Sequence, residues 1–221
     1  MTNSENQSGL SNSFTDLMTS LAVIFILLLC ASWNNALSAG QGVIVDIKAV
    51  LERELKDFFK EGIEVKSDPK DPLALIIIVP ENLLVFALND ARIPDKGKAF
   101  LRDFVPRLAE ITLSETFREK IHSIIVEGHT DITGKDERNL PLSQERSMSV
   151  VMESLQVLQG DARQQFITLL SASGRGSVEP YVDPISHPES QYKNRRVVFK
   201  IRVRSVEQKD IQQVIGRVAK N

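Results

Sequence analysis

The stretch from Leu21 to Ala31 is apolar without interruption, and it sits inside a longer run bounded by Phe14 and Trp33. Twenty helical residues rise about 30 Å, the thickness of a bilayer's hydrocarbon core. Phe14 and Trp33 stand where interfacial aromatics belong. The run is therefore read as a transmembrane helix over residues 14–33, following a short tail over 1–13. A cleaved signal peptide needs a basic leader and a small-residue cleavage site, and no Lys or Arg precedes Lys48. A lipoprotein signal would place a small residue before Cys30, where Leu29 stands. The helix is expected to be retained. Its orientation cannot be taken from charge, because neither short flank has a basic residue to count.

The remainder of the 221 residues suffices for one medium domain with appendages. A formal charge of −2 supplies no global basic field, so nucleic acid is not the expected partner. Cys30 is the only cysteine, which excludes an intrachain disulfide. His122 and His187 have no metal-ligand spacing with His129. No glycine-rich phosphate loop and no nucleophile with a Ser/His/Asp context is present, so neither catalysis nor a bound cofactor is expected.

Asp16 is the informative residue of the span. Thr15 and Asp16 are both types that cap a helix start. A carboxylate within lipid instead costs roughly 2.5–3.5 kcal/mol at the bilayer centre and less near its edge. Removal from water favours its neutral form, so such a group can take up and release a proton. Thr19 places a hydroxyl on the same helix face. The residues alone leave cap and ion carrier both open.

Beyond the span, residues 34–72 read as a linker containing an amphipathic helix. Ile44, Ile47, Leu51, Leu55 and Phe58 form one stripe between Val43 and Phe59. That stripe could pack on its own domain, but a dimer seam or membrane plug is the preferred expectation. Gly62–Pro72 is charged and turn-prone, which sets the domain boundary there, with the folded domain over 73–204. Strands are expected at Leu73–Val79, continuing over Leu83–Phe86 after Pro80, and at Ile121–Glu127, Phe166–Ser171 and Val197–Val203. Helices are expected at Asp95–Ile111 and Leu142–Leu158, with a terminal helix or tail over 205–221. The fold class is α+β, an α/β sandwich with helices on a mixed sheet, preceded by the single membrane helix.

Within that domain, Glu127-Gly128-His129-Thr130-Asp131 is followed by Gly134, Asn139, Leu142-Ser143, Arg146 and Asn194-Arg195-Arg196-Val197. From Pro80 to Arg204 this pattern resembles the OmpA C-terminal domain. The resemblance implies a domain that binds the peptide stem of peptidoglycan, commonly through diaminopimelate. That side chain ends in an ammonium and a carboxylate on one carbon, so its recognition needs an anion and a cation on rigid supports. The family pattern assigns Asp131 to the ammonium and Arg146, with its planar fork, to the carboxylate. Thr130 belongs to the same motif, Arg195 matches a further arginine near the ligand, and Asn139 and Asn194 are expected to fix loops. An internal Asp131–Arg146 ion pair is the alternative.

Ser13-Phe14-Thr15-Asp16-Leu17-Met18-Thr19 is similar to the signature that opens the span of MotB-type stator subunits. That likeness favours the carrier role for Asp16, with Thr19 beside it. It implies a homodimer inside a ring of MotA-like multi-span subunits, a transported proton or sodium ion, and no enzyme activity. It also implies a single-pass chain of the bacterial inner membrane, N-terminus cytoplasmic and C-terminal domain periplasmic. The absence of a basic tail, the short linker and the segment Gly160–Ser171 look closer to the B subunit of Zorya anti-phage defence motors than to flagellar stators. A Pal-like passive wall tether is the alternative from another class.

Overall fold

The computed structural model describes residues 2–84, 86–181, 185 and 192–205. The helix expected over 205–221 therefore lies outside the described residues, Ser205 apart. Packing divides the chain into two units, residues 1–39 and 40–221.

The first unit is carried by α1 (Thr2–Glu54), a helix that includes the expected span. It is the one described helix long and apolar enough to cross a membrane. Its side chains from Phe14 to Asn35 are exposed. Asp16 lies well inside α1, so its carboxylate does not cap the helix start. The Thr19 hydroxyl donates to the Thr15 carbonyl at 2.7 Å, satisfying itself within the helix.

The second unit is a five-stranded sheet with helices on one face. Its strands are β1 (Glu64–Ser67), β2 (Ala74–Pro80), β3 (Ile121–His129), β4 (Leu170–Gly176) and β5 (Arg196–Val203). They run in the order β1-β2-β5-β3-β4. All neighbours are antiparallel except β3 and β4, which are parallel and need the long crossover between them. That crossover contains α5 (Asp136–Val157) and α6 (Gly160–Leu169), while α4 (Asp95–Thr112) joins β2 to β3 by way of a single turn, α3 (Glu81–Leu84). A mixed sheet covered by helices is the expected class.

Strand alternation builds the core. Leu75, Ile77 and Val79 of β2, Ile124 and Val126 of β3, and Phe199, Ile201 and Val203 of β5 point to the helical layer. Phe104 of α4 sits 5.2 Å from the Phe199 ring and 5.7 Å from Phe58, whose helix α2 (Lys56–Phe59) follows α1. These aromatic contacts join three elements far apart in the chain.

Several expectations are corrected. The stripe Ile44, Ile47, Leu51, Leu55 and Phe58 is buried in this same core, so it does not form the partner-facing seam or plug. The segment 62–72 is not all linker: β1 pairs with β2, but Glu64-Val65-Lys66-Ser67 buries only Val65 and shows no apolar run. Leu83–Phe86 does not continue the strand, because the ladder ends at Pro80 and the chain turns helically to bury Leu83 and Leu84. Phe166 and Leu169 are buried from a helix, α6, and the strand follows at Leu170–Gly176 rather than Phe166–Ser171. Helix α5 starts at Asp136, six positions before the expected Leu142, and accommodates Pro141.

The helical layer comes unusually close to the sheet at two glycines. A Cβ on Gly128 would stand 2.1 Å from the Ser143 carbonyl oxygen, and one on Gly174 would stand 2.6 Å from the Gln144 amide nitrogen. Both obstacles are backbone, so neither can rotate aside. Gly128→Ala is therefore expected to destabilise the domain by about 1–3 kcal/mol, seen as a lowered midpoint in thermal or denaturant unfolding. Gly42→Ala, whose Cβ meets nothing within 4 Å in a helix, is expected to be neutral or stabilising.

Candidate ligand-binding cleft

At the end of β3 the chain leaves the sheet through Thr130 and Asp131, and Gly134 supplies the left-handed turn (φ 95°) that brings it into α5. Thr130, Asp131, Asn139, Arg146 and Arg195 all line one cleft of about 530 Å³. The residues read from the sequence as a set are thus brought together.

Each is held differently. Asp131 Oδ1 accepts the Thr133 backbone N–H at 2.9 Å, and its Oδ2 accepts Arg195 Nη1 at 2.6 Å. Asn139 Nδ2 donates to the Asp131 carbonyl at 3.3 Å, the expected loop-fixing role. Asn194 is buried, and its Oδ1 accepts the Tyr181 N–H at 2.8 Å. The Thr130 hydroxyl is buried without a hydrogen-bond partner among the described residues.

Arg146 is buried at 6% exposure, yet among the described residues no carboxylate lies within ion-pair distance of it. Its Nε donates to the Asp90 carbonyl at 3.0 Å and its Nη2 to the Ala87 carbonyl at 3.1 Å. Its guanidinium carbon lies 4.9 Å from the centre of the Phe86 ring. The alternative of a direct Asp131–Arg146 pair is not what forms. Carbonyl dipoles and a ring face stabilise the cation without cancelling its charge.

Burial pushes the Arg146 pKa down; Glu81 opposes this, Arg195 adds to it, and Asp131 and Asp90 oppose it more weakly. For Asp131, burial alone would raise the pKa, but the Arg195 and Thr133 hydrogen bonds outweigh it and hold the carboxyl below its ordinary value.

Sequence reasoning missed Glu81, Phe86 and Arg138, which line the same cleft. Arg195 Nε donates to both Glu81 oxygens, at 2.8 and 2.7 Å. Arg138 Nη2 donates to the Asn89 carbonyl at 3.0 Å, so two arginines of α5 clamp the loop 87–90. None of the three belongs to the recognised motif; only the register of β2 against β5 points to Glu81.

The fold and the cleft define an α/β domain, a mixed sheet under helices with a carboxylate and a guanidinium lining one cleft, joined to an apolar helix. The chain belongs to the OmpA family, whose model matches residues 85–195. Among solved structures, a putative MotB-like protein from Desulfovibrio vulgaris has a TM-score of 0.52 at 21% identity, covering 77% of this chain and 98% of that one. The cell wall anchor of the T6SS from Pseudomonas aeruginosa gives 0.49 at 22% identity, over 70% and 97% of the two chains. The periplasmic domain of Helicobacter pylori MotB gives 0.49 at 22% identity, over 71% and 91%. At 21% identity the first of these likenesses is one of fold alone. No curated protein matches the chain in sequence.

The Asp131–Arg195 pair sets an acid limit. With its folded pKa below the ordinary 3.8, ionised Asp131 adds stability that is complete above that value and is lost as pH falls through the lower folded value. Asp131→Asn should be less stable than the parent at neutral pH, and its denaturation midpoint should fall less steeply below pH 3.8.

Proposed function

We propose that this protein is the wall-anchoring, ion-translocating B subunit of an ion-driven membrane motor. The supporting observation is the cleft itself, where buried Arg146 keeps its positive charge beside the carboxylate of Asp131. An ammonium and a carboxylate on one carbon match that pair, so the ligand is the diaminopimelate of a peptidoglycan stem peptide. Asp131 takes the ammonium, Arg146 the carboxylate, and the buried Thr130 hydroxyl and the Asn139-fixed loop shape the site between them. Arg195 neutralises Asp131 until the ligand arrives.

In this reading α1 is a single span of the bacterial inner membrane, its N-terminus cytoplasmic and its C-terminal domain periplasmic. Two copies stand inside a ring of MotA-like subunits. Asp16 exchanges a proton or sodium ion at that contact, with Thr19 beside it, and its neutralisation shifts the preferred packing between subunits. The wall grip keeps the complex from turning with its load. Helix α6 adds a helix before the parallel strand, which favours a Zorya-type defence motor over a flagellar stator. Neighbouring genes discriminate: a defence island with a MotA-like partner supports this reading, and motility genes overturn the choice of motor.

Replacing both Asp131 and Arg146 by Ala is expected to lower co-sedimentation of the detergent-solubilised chain with purified peptidoglycan at least tenfold. Undiminished sedimentation of the folded variant would remove the wall site. In cells with the partner subunit, Asp16→Asn should abolish ion flux and motor output while leaving wall binding within twofold of the parent. Intact flux and output in that variant remove the carrier role of Asp16, and absence of any ion flux in the parent leaves the passive Pal-like tether as the function.

A further inference from the structure

We propose that Glu81 is a positioning residue of the cleft, holding Arg195 so that Asp131 can exchange this arginine for a ligand ammonium. The proposal rests on the wall-binding reading given above.

The three groups form a row across the end of the sheet. The β2–β5 ladder finishes at Pro80 opposite Arg196, so Glu81 and Arg195 are the next positions along the two strands. The β5–β3 ladder finishes at Arg196 opposite His129, which puts Thr130 and Asp131 just beyond it on the other side of Arg195. One guanidinium thus lies between two carboxylates from flanking strands.

Both Asp131 oxygens already have donors: Thr133 N–H on Oδ1 and Arg195 Nη1 on Oδ2. Each oxygen could still accept a second donor, but an ammonium arriving at Oδ2 would stand against the Arg195 guanidinium, and the repulsion between the two cations favours displacing Arg195. Releasing a cation from its only carboxylate inside a half-closed cleft is unfavourable. Arg195 is spared that loss, because its Nε keeps both Glu81 oxygens at 2.8 and 2.7 Å. The exchange then trades one partner of Asp131 for another while Arg195 stays neutralised. Glu81 also lies near Arg146 and offsets the repulsion between the two arginines.

Removing the Glu81 charge should make Arg195 depend wholly on Asp131 and so close the site to ammonium groups specifically. The test is calorimetry on the full chain in detergent, with synthetic stem peptides whose third residue is diaminopimelate, lysine or 2-aminopimelate. The lysine peptide lacks the side-chain carboxylate, and the 2-aminopimelate peptide lacks the side-chain ammonium. Glu81→Gln is expected to weaken the diaminopimelate and lysine peptides about tenfold and to leave the 2-aminopimelate peptide within about twofold. Adding Arg195→Gln to Glu81→Gln frees Asp131, and should restore the diaminopimelate peptide to within about threefold of the parent. Arg195→Gln alone should bind the two ammonium-bearing peptides more tightly than the parent, because the competing cation is gone.

Equal weakening of all three peptides by Glu81→Gln, or weakening of none, overturns the role of Glu81. A tenfold loss in Arg195→Gln overturns it too, since Arg195 would then be a direct ligand contact. The wall-site reading has its own check in Asp131→Ala. Parent-like affinity of that variant for the diaminopimelate peptide removes the site altogether, whereas its loss with an unselective Glu81→Gln removes only this inference.

Discussion

The cleft depends on how closely α5 can lie against the sheet. Gly128 and Gly174 bare the backbones of β3 and β4 just where Ser143 and Gln144 pass over them. Ser143 Oγ accepts the Gly176 N–H at 2.9 Å, and Gln144 Oε1 accepts the Gly174 N–H at 2.6 Å. Both residues thereby stitch the helix to strand β4 near its end. Arg146 follows within a turn, and Asp131 leaves the neighbouring strand at the same end. The separation of cation and anion is thus set by helix and strand backbones rather than by flexible side chains, which is what recognition of two charges on one carbon requires.

The two arginines of the cleft are prepared for different tasks. Arg195 is saturated by carboxylates, from Glu81 on one side and Asp131 on the other. Arg146 donates from Nε and Nη2 to carbonyl oxygens and lies against a ring face, and these partners carry only partial negative charge. A cation held in this way still attracts an anion strongly in a site partly shielded from water. The clamp on residues 87–90 also means that an anion drawn to Arg146 meets a guanidinium whose orientation is already fixed.

What was legible in the sequence followed the chemistry. Asp131, Arg146 and Arg195 stand at spacings that a family motif preserves, and all three reach the cleft. Long apolar stretches such as Leu75–Val79 and the alternating Val197–Val203 were equally plain, because burial on one or both faces leaves a pattern. Strand β4 left none: on the face toward the helical layer it carries Ala172 and Gly174, the latter kept small by the close approach of α5, and Ser171 on the other face is exposed, so no apolar alternation marks it. Pro141 hid the first turns of α5 in the same way, since a proline reads as a boundary even where a helix tolerates it. Glu81 carried no local signal, because its partner lies 114 positions away and only strand register brings the two together.

The amphipathic stripe after the span shows how periodicity can be right about an element and silent about its partner. Ile44, Ile47 and Leu51 form the expected helical face, but the surface they bury against belongs to the core of the same chain. With that face committed, the longest uncovered apolar run among the described residues lies along Phe14–Trp33, where every side chain is exposed. Lipid can cover leucines and phenylalanines there, but it cannot satisfy Asp16, whose transfer into hydrocarbon is unfavourable unless protein or water meets it. Because α1 begins at Thr2, the free amides of a helix start are not at hand to do so. In the proposed reading a partner around the span meets that need, whereas a passive anchor has no use for an acid at that position.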